Sequence, residues 1–379
     1  MANSFLFAPL KGWIPFEQLV HEVQAHRVVS VYGLSEGQKS HIACALSERT
    51  GRQVLLVNAS DQASARMMED IAQATGAAAL LPGREVTFYH SVASSQELTC
   101  RRLETLRRTV TGEARVVVAP VDALMHRLMP HSLFAMHTLT LREGDRVELS
   151  SLAAQLSQAG YVREEMVEGK GQFALRGGIL DIYPPDALSA LRLEFFDDEV
   201  DSIRTFDVMT QRSQERLKEA TVTPASEALV DFTHAREAAK ALRAALKKAL
   251  DAHARREQEE KSTTLADLPD DEQALTAEII RRAANPGTAS ERLEESVVRV
   301  ADALEDCTSV QGLERYLPLL YEQTETILDY MRDPIVLLDE PDALRSRCEN
   351  RYLEFTEAFK GALERCEALS VQSSLLLDY

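Results

Sequence analysis

Three groups of residues in this chain have types and spacing suited to chemistry. The first is Gly33-Leu34-Ser35-Glu36-Gly37-Gln38-Lys39-Ser40, which follows an apolar run and opens a helical pattern. It approaches the phosphate loop G-x-x-x-x-G-K-[ST], whose backbone N–H groups cradle phosphates while its Lys and Ser/Thr reach phosphate and Mg²⁺. Gly33, Lys39 and Ser40 fit, but Gln38 stands where the second Gly belongs. A side chain there crowds the β-phosphate, and Glu36 puts negative charge into a loop meant for an anion. The loop, Gly37 included, therefore reads as a vestigial strand-to-helix connection. The second group is Asp339-Glu340 at the end of the apolar run Ile335–Leu338, an arrangement that holds Mg²⁺ and water in nucleotide hydrolases. Beside a broken phosphate loop it marks an ancestral nucleotide site without catalysis. The third is Arg163 with Arg176-Gly177-Gly178. An Arg next to a bare Gly-Gly turn is either a binding anchor or a surface Arg beside a bulge, and spacing alone divides these evenly.

Other chemistries find no support. The five cysteines, Cys44, Cys100, Cys307, Cys348 and Cys366, are scattered and unpaired in sequence, which suits a reducing cytosol and gives no zinc framework. The nine histidines form no metal-spaced cluster, and no Ser or Cys nucleophile sits at a recognisable elbow. Arg101, Arg102, Arg107 and Arg108 read as a solvated basic helix face. The formal charge of −18 argues against free-standing binding to nucleic acid or an anionic membrane. No run approaches the ~20 apolar residues of a membrane span, and the first residues lack a signal-peptide pattern.

The elements that must position these groups fall into blocks. Residues 1–125 alternate β-branched runs with helical patterns: a buried strand at Val28–Tyr32, a helix at Lys39–Arg49, a strand at Val54–Val57, a helix at Asp61–Gln73 and a strand at Arg115–Pro120. Such alternation predicts a parallel sheet with helical crossovers. Residues 126–225 change to closely spaced strands with turns at Pro184-Pro185 and Asp197-Asp198, plus one short helix at Ser151–Gln158, predicting a small, mostly antiparallel domain. Residues 226–350 are helical: His234–Asp251, then a loop or weak helix over Glu257–Asp271. Helices follow at Gln273–Ala283, Ser290–Leu304 and Leu313–Met331, with a breaker at Asn285-Pro286-Gly287. The late run Pro334–Glu340 is expected to rejoin the first sheet, making the intervening segments insertions. A last helix is expected over 344–369, with 351–379 leading away from the domain. The fold class is thus α/β: a helicase-like parallel-sheet domain split in sequence, with an inserted small α/β domain and a helical insertion.

At these residues a resemblance appears. Gly160-Tyr161, the run Gly171–Pro184, the run Leu191–Asp207 and Thr210-Gln211-Arg212-Ser213 resemble bacterial transcription-repair coupling factors. Val118–Met125, Gly312–Pro318 and Leu338–Pro341 support the match. The Arg-Gly-Gly to Phe-Phe-Asp-Asp-Glu-Val block is shared with UvrB, the damage-handling subunit of the excision nuclease. The resemblance implies an N-terminal, UvrB-homologous module that recruits UvrA once stalled RNA polymerase is displaced. It carries UvrA contacts onto Arg163 and Arg176, and with them Gly177, Gly178 and Tyr183. Ala174 stands where UvrB typically has a further Arg. Phe88 and Tyr89 are too few to form UvrB's aromatic DNA-clamping hairpin.

The family continues with a polymerase-binding domain, ATP- and Mg-dependent translocase domains that engage DNA, and a C-terminal domain that masks the UvrA face. The chain is therefore expected to be a fragment with no cofactor or catalysis of its own, cytoplasmic, and without membrane contact. The alternative is a UvrB-like, ATP-binding, DNA-engaging enzyme resting on Lys39, Ser40, Asp339 and Glu340.

Overall fold

A computed structural model describes residues 4–86, 88, 96–230, 232–266, 289–306, 308, 310 and 312–378. The expectations for Tyr89, Gln273–Ala283, Asn285-Pro286-Gly287 and Cys307 lie outside the described residues. Along the chain come helix α1 (Ile14–Gln24), α2 (Glu36–Thr50), strand β1 (Val54–Asn58), α3 (Asp61–Thr75), β2 (Ala78–Leu80), α4 (Gln96–Val110) and β3 (Val116–Pro120). The middle segment holds β4 (Leu139–Arg142), α5 (Leu149–Gln158), β5 (Val162–Arg163), β6 (Gln172–Arg176), β7 (Ile179–Ile182), β8 (Ala190–Phe196), β9 (Glu199–Phe206), β10 (Ser213–Leu217) and β11 (Glu219–Val222). Helices α6 (Phe232–Ala266) and α7 (Ala289–Glu305), strand β12 (Ile335–Leu338) and helix α8 (Pro341–Glu364) complete it.

Three sheets result. The first has four parallel strands in the order β12-β1-β3-β2. Every residue of β1 and β3 is buried, as unbroken apolar runs are when helices cover both faces. On one face Val54, Leu56, Val116 and Val118 pack with α1, α2 and α3; on the other Leu55, Val57, Val117 and Ala119 pack with α4, α6, α7 and α8. The helices begin and end where the sequence says they should: Ser60 Oγ accepts from Ala63 N–H at 3.2 Å to cap α3, and Gly51 and Gly76 close α2 and α3 at φ 75° and 70°. As anticipated, β12 returns from far along the chain and pairs in parallel with β1, Ile335 opposite Val54.

The second sheet, β10-β9-β8-β7-β6-β5, is antiparallel except for the β5–β6 pair. One of its faces packs against α5 through Phe173, Leu180, Leu191, Leu193, Leu152 and Leu156. The third sheet is the two-stranded pair β4–β11, with Leu139 opposite Val222, so the chain enters and leaves the middle segment side by side.

Several expectations need correction. Val28–Tyr32 forms no strand; Val28 is 102% exposed and Tyr32 88% exposed, because the segment has no ladder partner. Leu313–Met331 is not one helix: a 3-10 turn at Leu313–Tyr316 and a short helix at Leu317–Leu320 give way to irregular chain, with Pro318 in the first turn and turn-forming Asp329 bonding back to Thr326. The stretch after Glu257 continues α6 as far as Ala266. The last helix ends at Glu364 and a 3-10 turn, Ser370–Ser374, follows. Of the α4 arginines Arg101 is exposed as expected, but two are not part of a solvated face: Arg102 is fully buried with its Nε 2.9 Å from both Glu227 oxygens, and Arg107 Nε lies 2.6 Å from Asp186 of the middle segment. The polar spacing of the helix matched solvent exposure, but the carboxylates come from more than 75 residues away in sequence.

Candidate functional site

The Gly33–Ser40 segment leads into the start of α2. Gln38 Oε1 accepts from Ser35 N–H at 2.8 Å and from Ser35 Oγ at 3.0 Å, completing a capping box. Gln38 thus satisfies the Ser35 N–H at the start of the helix. Lys39 Nζ donates to Asp339 at 2.5 Å and to Glu340 at 3.2 Å, so the two sequence motifs meet in space. The hydrogen bond to Asp339 raises the Lys39 pKa above its ordinary value and keeps the ammonium charged. Ser40 is buried, and its hydroxyl has no hydrogen-bond partner among the described residues. Glu340 adopts φ 54°, a left-handed backbone at the entry to α8.

The arginine site lies on the outer face of the six-stranded sheet, away from α5. Side chains alternate along β6: Phe173 turns to the α5 core, whereas Ala174 packs in a separate small cluster and Arg176 is exposed. The register runs Ala174–Asp181–Arg192–Arg204 straight across four strands. Asp181 is fully buried and anchors two guanidinium groups. Arg192 takes it from both sides, Nε to Oδ1 at 2.7 Å and Nη2 to Oδ2 at 2.8 Å, and Arg176 Nη2 donates to Oδ2 at 2.6 Å. Its bond to Asp181 raises the Arg192 pKa. The Arg192 guanidinium also stacks 4.5 Å from the centre of the Phe206 ring. Arg176 is the more open of the pair, its side chain 46% exposed against 14% for Arg192. An oriented, half-free guanidinium is well suited to a carboxylate on a partner.

The glycines do structural work beside it. Gly177 sits at φ 61°, and a Cβ on Gly178 would lie 2.9 Å from Phe195 O. The bare turn leaves Phe196, at the end of β8, 82% exposed on the same outer face as Arg176. Tyr183 is half-buried lower on that face, where its hydroxyl donates to Leu188 O at 3.3 Å and Lys170 Nζ lies 5.9 Å from its ring centre. Arg163 is different. It is exposed on edge strand β5, but its register partner is Phe173, so alternation puts it on the α5 side of the sheet, opposite Arg176.

Sequence reasoning missed Asp181, Arg192 and Phe196. A signal existed for Asp181, since an acid inside the apolar run Ile179-Leu180-Asp181-Ile182 must be paired if buried. Among the described residues no group of His, Cys, Asp and Glu could hold a metal ion, and no helix is long and apolar enough to cross a membrane.

Comparison with known proteins gives this chain relatives. Residues 139–227 match the model of the UvrB interaction domain. The chain is 30% identical to the transcription-repair-coupling factor of Bacillus subtilis over 340 residues, which is 89% of this chain and 26% of that protein. It is 35% identical to the Escherichia coli factor over 197 residues, 50% of this chain and 17% of that protein. With the Staphylococcus haemolyticus factor it shares 28% identity over 373 residues, 96% of this chain and 29% of that protein. The chain thus spans less than a third of the length of these relatives. Residues 139–227 thus match the UvrB interaction domain, in a chain similar over most of its length to the transcription-repair-coupling factors.

Proposed function

We propose that this chain is a docking module of transcription-coupled nucleotide excision repair, which recruits UvrA to stalled RNA polymerase and performs no chemistry itself. The observation that carries the reading is the buried Asp181 holding Arg176 half-exposed on the same face as the uncovered Phe196. This combination of an oriented Arg and a bare aromatic on one face is the composition of a protein-interface anchor. Arg176, Gly177, Gly178 and Phe196 form its exposed part, Asp181 and Arg192 support it, and Tyr183 borders it. Arg163, on the opposite side of the sheet, contributes separately or not at all. Polymerase binding, DNA translocation with ATP and Mg²⁺, and masking of this face by a C-terminal domain belong in this proposal to the rest of a longer cytoplasmic protein.

The alternative, a UvrB-like ATP-binding enzyme, draws support from the contact between Lys39 and Asp339. Two observations weigh against it. Gln38 already serves a loop N–H, and both acidic residues neutralise the lysine that would reach phosphate. The residues present do not fit a nucleotide.

The test is UvrA binding by calorimetry or surface plasmon resonance with Arg176→Ala, Phe196→Ala and Arg163→Ala. Each of the first two is expected to weaken binding by about 2 kcal/mol, roughly thirtyfold; the thermal midpoint is expected to hold in Phe196→Ala and to fall in Arg176→Ala, which takes one of three guanidinium hydrogen bonds from buried Asp181. Arg163→Ala is expected to cost less than tenfold. Absence of binding by the wild-type chain, or full affinity in both Arg176→Ala and Phe196→Ala, rejects the assignment.

A further inference from the structure

A second cluster of charge lies within the parallel-sheet domain, apart from the arginine site and from the Gly33–Lys39 loop. It gathers beyond the ends of β2 and β3. Arg84 follows β2, His126 follows β3, Arg102 comes from α4 and Arg351 from α8. Glu227, a few residues past β11, is the enclosed carboxylate that pairs with them. Arg102 Nε lies 2.9 Å from both of its oxygens, and Arg84 Nη1 lies 3.7 Å from one. Charge does not balance there. All three guanidinium groups act on the His126 ring. Against them stand Glu227 and, at the surface, Glu354, which is 58% exposed and 3.5 Å from Arg351. Asp122, which abuts the turn at Gly83, is taken by Arg347, and Glu85 beside Arg84 is exposed.

Hydrogen bonding does not balance either. Arg102 is fully buried; its Nη1 donates to Pro82 O at 2.6 Å, but its Nη2 has no hydrogen-bond partner among the described residues. The same holds for Nε2 of the buried His126 and for Nε of Arg351. Buried donors are nearly always paired, so three orphans in one cluster point to a shared acceptor. A water satisfies donors but brings no charge. The excess here is positive, which turns away metal cations and favours an anion, and guanidinium groups are the strongest side-chain partners for one. Burial and the neighbouring arginines hold the His126 pKa well below its ordinary value, so the ring stays neutral and donates from Nε2 when its hydrogen sits there.

We propose that Arg84, Arg102, His126 and Arg351 form a binding site for a small inorganic anion, whose charge balances the cluster. Arg102 and His126 are the floor of the site. Arg84 and Arg351, with side chains 16% and 21% exposed, are the side from which the ion enters. The bound anion is a common acceptor for the turn after β2, for α4 and for α8. It therefore tightens the parallel-sheet domain beside Glu227, where the chain has just left the middle segment.

Calorimetric titration of the whole chain with sodium chloride and with sodium phosphate tests this, at an ionic strength held constant with sodium gluconate. Saturable binding of a single anion is expected for at least one of the two, and the one that binds sets the size of the site. The thermal midpoint is expected to rise with occupancy and then level off, unlike the continuing rise that general salt exclusion gives. Arg84→Gln and Arg351→Gln alter the entry side and keep the Arg102–Glu227 pair. Each is expected to weaken the anion by about fivefold or more. Arg347→Gln, whose partner is Asp122, is expected to leave the affinity within about twofold. The proposal is overturned if neither anion saturates on the wild-type chain, or if both entry-side variants bind with full affinity. An equal loss in Arg347→Gln also overturns it, because the anion would then not belong to these four residues.

Discussion

At the scale of single residues, Asp181 organises the outer face. It is fully buried, yet its two oxygens receive three guanidinium hydrogen bonds from Arg176 and Arg192. A buried carboxylate is tolerated only with such pairing, and removing one member leaves desolvated charge behind. Asp181→Ala is therefore expected to lower stability by about 3 kcal/mol, with a purely structural share from Arg192, which is only 14% exposed. It should also weaken UvrA binding, since Arg176 loses the group that orients it. Chemical denaturation and UvrA titration of the same variant separate the two effects. Arg192→Met, which removes one cation but leaves the Arg176–Asp181 pair, is expected to retain more binding than Asp181→Ala. A larger loss of binding in Arg192→Met would show that Arg192 itself, rather than Arg176, meets the partner.

Elements show why part of the fold was legible and part was not. The capped helices and the fully buried strands β1 and β3 carry their own signals: Ser60 before α3, Gly51 and Gly76 after two helices, unbroken Val/Leu runs between. The return of β12 was also readable, because an isolated apolar strand among helices needs a sheet to join. Val28–Tyr32 has equal strand composition but no ladder, since composition reports a preference and pairing depends on what lies alongside. Arg102 and Arg107 of α4 escaped the reading for a related reason: their partners, Glu227 and Asp186, arrive through tertiary contact. Of the candidate site, Arg176 and its glycines were visible as an Arg beside a tight turn. The register that separates Arg163 from Arg176, and brings Arg192 and Phe196 to the same face, emerges only when strands pair. Gln38 allows a sharper test at this scale. It was read as a defect in a phosphate loop, and it is also a helix cap. Gln38→Ala is expected to cost about 1 kcal/mol of stability through loss of the capping box. Gln38→Gly restores the full phosphate-loop pattern, yet Lys39 remains held by Asp339 and Glu340. Calorimetry with Mg-ATP is expected to give no saturable heat for either variant. Saturable binding by Gln38→Gly alone would mean that the side chain, and not the lysine's ion pairs, is what closes the site.

For the whole molecule, the decisive feature is that the inserted segment owns its core. The apolar cluster under the six-stranded sheet is drawn from residues between Leu139 and Ala225, without contribution from the parallel-sheet domain. Entry and exit strands β4 and β11 pair with each other, so cutting there leaves two neighbouring ends and breaks no strand pairing. The seam to the rest of the chain is polar: Arg107 against Asp186, Gln96 donating to Lys170 O, and Arg102 against Glu227 just beyond the exit strand. Asp186 keeps a partner within the segment, since Thr223 Oγ1 donates to it at 2.7 Å. Residues 138–226 expressed alone are therefore expected to unfold in one cooperative transition. The midpoint should fall below that of the same segment in the intact chain, because the Arg107 contact is gone. Arg176, Asp181, Arg192 and Phe196 all travel with the segment, so UvrA affinity is expected to stay within about threefold of the full chain. A loss of more than tenfold in a folded segment would show that the partner also reaches across the seam onto the parallel-sheet domain. In that case the buried Arg102–Glu227 pair would set the angle at which the two surfaces are offered, and Glu227→Gln in the full chain should reproduce part of the loss.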